Sequence, residues 1–229
     1  HNARRLFSLP IHSMGSALRV RPCRSGGSSV ARPRWPSRSS TAAVDPPPVG
    51  DPREIVHGFS KKDPLKEGDI VSLDMAATFN GFVGDCAMTV PVGEITDELK
   101  QLIRVTEECL ELGIQASRVN GRVGDIGWAV QQHAEKYGYG IVRDYTGHGI
   151  GRQMHEAPQI PNHGRAGTKE KIRAGYCFAI EPMLNLGTAE TKTLSDKWTV
   201  VTLDGKPSAH AEHTLAVTLD GPEILTKRD

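Results

Sequence analysis

The chain has 229 residues, of which 24% are charged, 38% hydrophobic and only 5% aromatic, a balance that suits one globular domain of mixed α and β structure. No apolar run approaches the roughly 18 residues a membrane span needs, so the sequence predicts a chain that lives in water. The formal charge of +1 conceals two regions: residues 1–44 hold eight of the 28 Lys and Arg and no acidic residue, so 20 basic face 27 acidic side chains in the rest, which speaks against a general nucleic-acid surface there.

Residues 1–50 carry Arg4, Arg5, Arg19, Arg21, Arg24, Arg32, Arg34 and Arg38 among Ser, Pro and Gly, and end in Pro46-Pro47-Pro48. Nothing in them repeats at helical or strand spacing, so this first segment is predicted to be disordered. An Arg- and Ser-rich, acid-free stretch also looks like an organelle transit peptide, with Met14 as its start, although translated non-coding sequence would look the same. A chain that begins at His1 is expected to be a fragment. Cys23, Cys86, Cys109 and Cys177 form no CxxC pair and suggest a reducing compartment rather than a disulfide framework.

From residue 51 to 229 the texture is that of a folded domain. Residues 70–76 and 82–90 flank Asn80-Gly81, a pair that tolerates the left-handed backbone of a tight hairpin turn. Thr96 offers a helix N-cap followed by Asp97 and Glu98, and Leu99, Leu102, Ile103, Thr106 and Leu110 carry a helix to about residue 116. Ile126, Ala129, Val130, His133 and Tyr137 repeat the spacing up to Gly138, a left-handed stop, with His133 packed on the buried face. Strands are predicted at 141–145, 176–184, 198–203 and 209–219, with Asp204-Gly205 as a second hairpin turn.

Asp74 and Asp85 lie on opposite arms of the first hairpin, in strands otherwise suited to burial. A two-residue turn sets Asp85 opposite Ala76, with Asp74 on the same face two residues along, so the carboxylates converge to roughly 5 to 8 Å. Two such charges repel unless they are solvated or share a divalent cation. His148 stands among glycines in Thr146-Gly147-His148-Gly149-Ile150-Gly151, Glu181 ends an apolar strand before Pro182, and Glu212 interrupts another. Four carboxylates and one imidazole make an oxygen-rich ligand set, suited to a pair of divalent ions such as Mn, Fe, Co or Zn.

In order and context, the stretches SLDMAATFNGFVGD, YTGHGIGRQMHEAPQI, FAIEPM and HAEHTLAVT resemble the metal-site motifs of type I methionine aminopeptidases, over residues 54–229. The resemblance implies an α+β pita-bread fold, a curved antiparallel sheet flanked by helices in two pseudo-symmetric halves. It implies two divalent metal ions on Asp74, Asp85, His148, Glu181 and Glu212, with Asp85 and Glu212 bridging them. Glu181 would be the general base, His57 and His155 would bind substrate and its tetrahedral intermediate, and Met154 and Trp198 would lie beside the methionine pocket. The implied substrate is the N-terminal methionine of nascent polypeptides, cleaved by a cytoplasmic monomer that can meet the ribosome and needs neither nucleic acid nor membrane; a transit peptide would make it organellar.

His163 stands where that family usually has an aromatic residue. Residues 1–53 show none of the family's leading helices, first strand or pocket loop, so the sheet and the first helix are expected to expose apolar surface, leaving a marginal enzyme with impaired methionine turnover. Two other readings share this pattern: a prolidase or aminopeptidase P-like enzyme, and a non-catalytic binding protein of the same fold.

Overall fold

A computed structural model describes residues 51–58 and 64–227. The expected disordered leader at 1–50 lies outside the described residues. The first half contains β1 (Glu54–Val56), β2 (Ile70–Phe79), β3 (Phe82–Pro91), α1 (Asp97–Ala116), α2 (Val123–Ala134), β4 (Gly140–Ile141) and β5 (Gly147–Gly149). The second is nearly all strand: β6 (Glu156–Ile160), β7 (Cys177–Ile180), β8 (Met183–Asn185), β9 (Thr191–Thr193), β10 (Val200–Thr202), β11 (Ser208–His210), β12 (Glu212–Thr218) and β13 (Gly221–Ile224). No helix among the described residues is long and apolar enough to cross a membrane.

Asn80 and Gly81 adopt φ of 51° and 78°, the left-handed pair a two-residue hairpin turn demands. The register then runs unbroken from Phe79 opposite Phe82 to Ile70 opposite Pro91, with Asp85 opposite Ala76 as predicted. The hydroxyl of Thr96 accepts the Leu99 N–H at 3.3 Å and starts α1. The Asp125 carboxylate accepts the Arg122 N–H at 2.7 Å and starts α2. That helix tightens into a 3-10 turn at Glu135–Tyr137 and stops at Gly138, φ 72°.

The helices pack against a curved antiparallel sheet of order β2-β3-β12-β7-β5-β6, with β13 added to β12. Leu102, Val105 and Cys109 of α1 join Val130 and Ala134 of α2 against Ile70, Ile141 and Leu184. Leu110, Ile114, Val123 and Ile126 bury Phe178, Ile180, Leu215 and Val217, each large side chain contributing about 1.5–3 kcal/mol by leaving water. Strand side chains alternate, so turning Phe178, Ile180, Leu215 and Val217 to the helices turns Ala179, Glu212 and Thr214 to the opposite face.

Several expectations are corrected. The strand predicted at 176–184 is two, β7 and β8, in different sheets, because Pro182 has no N–H with which to continue a ladder. Likewise 209–219 divides into β11 and β12 at Ala211, whose N–H is drawn to the Pro182 carbonyl. Of 141–145 only the first residue is strand. Gly205 does turn the chain, at φ 76°, yet no hairpin results: β10 pairs with β1 and β9, and β11 pairs with β8. The Asp204 carboxylate instead accepts the Thr188 and Lys206 N–H groups at 2.9 and 3.0 Å, folding this turn onto another loop. His133 is half-buried and hydrogen-bonded to Glu108 at 2.7 Å, linking α2 to α1. α1 buries Leu102, Val105, Cys109, Leu110 and Ile114 against α2 and the sheet and leaves Leu99 and Ile103 partly exposed; the large exposed apolar residues include Phe79 and Phe82 at the hairpin tip.

Candidate active site

Ladder register alone aligns two rows of residues across the second face of the sheet. In one row Ala87 stands opposite Asp74 on one side and Glu212 on the other. Extending the β12–β7 register by one residue brings Glu181 beside Glu212. In the other row Asp85 pairs with Ala76, and Ala179 pairs with both Thr214 and His148. With strands about 4.8 Å apart, these rows gather four acids and an imidazole from five segments.

The glycines around His148 have a steric cause. A Cβ at Gly147 would stand 2.3 Å from the Ala179 carbonyl oxygen, and one at Gly149 would stand 2.3 Å from that of Ala157. Only residues without side chains let β5 lie this close to its neighbours. The His148 Nδ1–H donates to the Gly149 carbonyl at 2.9 Å, which leaves Nε2 as a lone-pair donor into the site. Nε2 lies 3.6 Å from Glu181 Oε1 and 3.9 Å from Asp85 Oδ2.

Asp85, His148 and Glu212 are 3%, 6% and 2% exposed, and each offers a ligand atom within 4.8 Å of the others. Glu181 keeps 13% of its side chain exposed, and Asp74 is half-buried. Burial, and then the charge of Asp74, push Asp85 up to about 7. Glu181 and Glu212 are held well above the usual carboxylate range, first by burial and then by the charge of Asp85. Burial also lowers the His148 imidazole, favouring its neutral, ligating form. Asp85 Oδ1 and Glu212 Oε1 are buried without a hydrogen-bond partner among the described residues. Crowded acids with orphaned oxygens and a neutral imidazole are what a divalent cation would satisfy, so these residues fit a metal.

His57, at φ 62°, stacks on Trp198 with ring centres 4.5 Å apart and meets Tyr145 edge-on at 5.8 Å. The His155 ring lies 4.3 Å from that of His148, with half-buried Met154 beside it in sequence. His163 lies in the field of Arg143 and Lys169, with burial the first cause that lowers its imidazole.

Sequence reasoning passed over three residues. Thr214 clamps the Asp85 backbone, its hydroxyl accepting the N–H at 2.9 Å and donating to the carbonyl at 2.8 Å. Asn162 donates to the Glu181 carbonyl at 2.9 Å. His210 is 2% exposed, both its ring nitrogens lack a hydrogen-bond partner among the described residues, and it lies in the fields of Asp74 and His57. Its one signal was the spacing His-Ala-Glu-His, which sets His210 two residues before Glu212.

The profile of metallopeptidase family M24 matches residues 48–219. The methionine aminopeptidase of Clostridium perfringens is 51% identical over 173 residues, covering 76% of this chain and 70% of that protein. The crystal structure of methionine aminopeptidase from Rickettsia prowazekii superposes with a TM-score of 0.75 at 44% identity, over 76% of this chain and 71% of that one. A prolidase from Pyrococcus horikoshii shares the fold at a TM-score of 0.61 and 20% identity, over 77% of this chain and 45% of that one.

Proposed function

This chain belongs to metallopeptidase family M24, and from that membership we propose that it is a methionine aminopeptidase, releasing the N-terminal methionine of nascent polypeptides. The observation that carries the reading is the pair of residue rows with orphaned buried oxygens on Asp85 and Glu212. Asp74, Asp85, His148, Glu181 and Glu212 would hold two divalent cations drawn from Co, Mn, Fe and Zn. A bound pair of such ions acidifies a water and polarises the scissile carbonyl.

The remaining chemistry falls to the protein. Glu181, beside His148 and open on one edge, accepts the proton of the attacking water and returns one to the departing amine. His57 and His155 orient the peptide and hydrogen-bond the tetrahedral intermediate. Trp198 and Met154 offer apolar surface to the methionine side chain, with Trp198 holding the His57 ring by stacking. The protein acts as a cytoplasmic monomer that meets its substrates at the ribosome.

The test is release of methionine from a Met-Ala-Ser peptide after loading with manganese or cobalt. Asp85→Asn should lower the rate on the order of a hundredfold or more. Preferential cleavage of an Xaa-Pro peptide would move the chain to the prolidase side of the family.

A further inference from the structure

We propose that Asn162 is a positioning residue for Glu181, an inference that rests on the ligand and base roles assigned to Glu181 above. Glu181 stands one residue beyond Ile180, the last residue of β7 in register with β12, and is followed by Pro182. Proline contributes no N–H, so the ladder does not hold the peptide unit that carries the Glu181 carbonyl. The Asn162 amide holds it instead, with Nδ2 donating to the carbonyl oxygen at 2.9 Å.

Asn162 is itself immobilised. It is fully buried, and the backbone of α2 abuts the carbonyls of the residues before and after it: a Cβ on Gly127 would stand 2.5 Å from the carbonyl oxygens of Pro161 and His163. A rigid path therefore runs from the helix backbone through Asn162 to the Glu181 main chain, and from there to the carboxylate 3.6 Å from His148 Nε2. The amide orientation follows from its partner, because only the NH₂ group can face a carbonyl. The other atom, Asn162 Oδ1, is buried without a partner among the described residues. An unpaired buried oxygen is unfavourable, and packing alone would be better served by an apolar side chain. The hydrogen bond to Glu181 is the role that explains an asparagine there. A catalytic carboxylate displaced by about 1 Å can lose about a hundredfold in rate.

The test uses the full chain, titrated with manganese alone by calorimetry and assayed for kcat and KM on Met-Ala-Ser. Asn162→Leu keeps an apolar side chain of similar size but no donor. It should weaken manganese binding and lower kcat by about tenfold each, with KM within about twofold. Asn162→His carries an N–H the same number of bonds from Cα and should restore both values. A Leu variant with wild-type manganese affinity and kcat overturns the proposal, as does a folded His variant as impaired as the Leu variant. Should the larger ring unfold the chain by circular dichroism, the Leu variant alone decides. A wild-type chain that binds manganese but releases no methionine sinks the functional reading, and the manganese comparison still decides the role of Asn162.

Discussion

Glu212 is 2% exposed, has one carboxylate oxygen without a hydrogen-bond partner among the described residues, and lies in the fields of Asp85, Glu181 and Asp74. Without a cation it stores repulsion, so it serves function at the expense of stability. Glu212→Gln should therefore raise the melting temperature of the metal-free protein at pH 8 by about 2–4 °C, corresponding to about 1 kcal/mol, while abolishing most of the stabilisation by manganese. Differential scanning calorimetry with and without chelator reads both effects, and a lower metal-free melting temperature would show that Glu212 is well satisfied without an ion. The same physics made the four acids of the cluster legible: an acid inside an apolar strand is an anomaly that asks for a cause. Thr214 and Asn162 raised no such flag, because a threonine in a strand and an asparagine after a proline are ordinary, and their importance lies in which backbone they touch.

At the scale of elements, glycines of two kinds hold the fold in place. Gly138 ends the second helical segment at φ 72° with nothing within 4 Å of an added Cβ. Gly147 has no such room, since its Cβ would overlap the Ala179 carbonyl oxygen at 2.3 Å. Gly138→Ala should cost roughly 1–2 kcal/mol in urea unfolding and leave manganese binding intact. Gly147→Ala should part β5 from β7, moving His148 away and abolishing manganese binding even where soluble protein is recovered. Equal effects of the two would contradict the close-approach argument. The hairpin of β2 and β3 was readable to the residue because its turn is local, and so were the helix starts at Thr96 and the stop at Gly138. The division of 176–184 and 209–219 into four strands was not, since both breaks arise where the Ala211 N–H meets the Pro182 carbonyl, a contact between distant segments.

For the whole molecule, the buried acids give stability a pH dependence of known sign. Asp85, Glu181 and Glu212 have folded-state values above those of an unfolded chain, so each favours the fold when protonated. That contribution is complete below about pH 4 and is lost as pH rises through about 7 for Asp85 and through the raised values of the two glutamates. His148, His163 and His210 are lowered and act oppositely, losing stability only as pH falls below about 6.5. Above pH 7 the histidines no longer contribute, and the thiols of Cys109 and Cys177, raised by burial, act in the same direction as the acids. The metal-free chain should therefore melt lower at pH 8.5 than at pH 7, and manganese should reduce or reverse the difference, because binding takes up the deprotonated ligands. An unchanged or higher melting point at pH 8.5 without metal would contradict the crowding of these acids. The sequence by itself determined the hairpin and its register, both helices and the anomalous acids, because turn chemistry, capping and hydrophobic spacing act within a few residues. Only the tertiary structure decided that β12 lies between β3 and β7, which is what brings residues more than a hundred positions apart into two rows. Such pairings depend on ladder register and backbone contacts between distant segments, and neither leaves a local imprint on the order of amino acids.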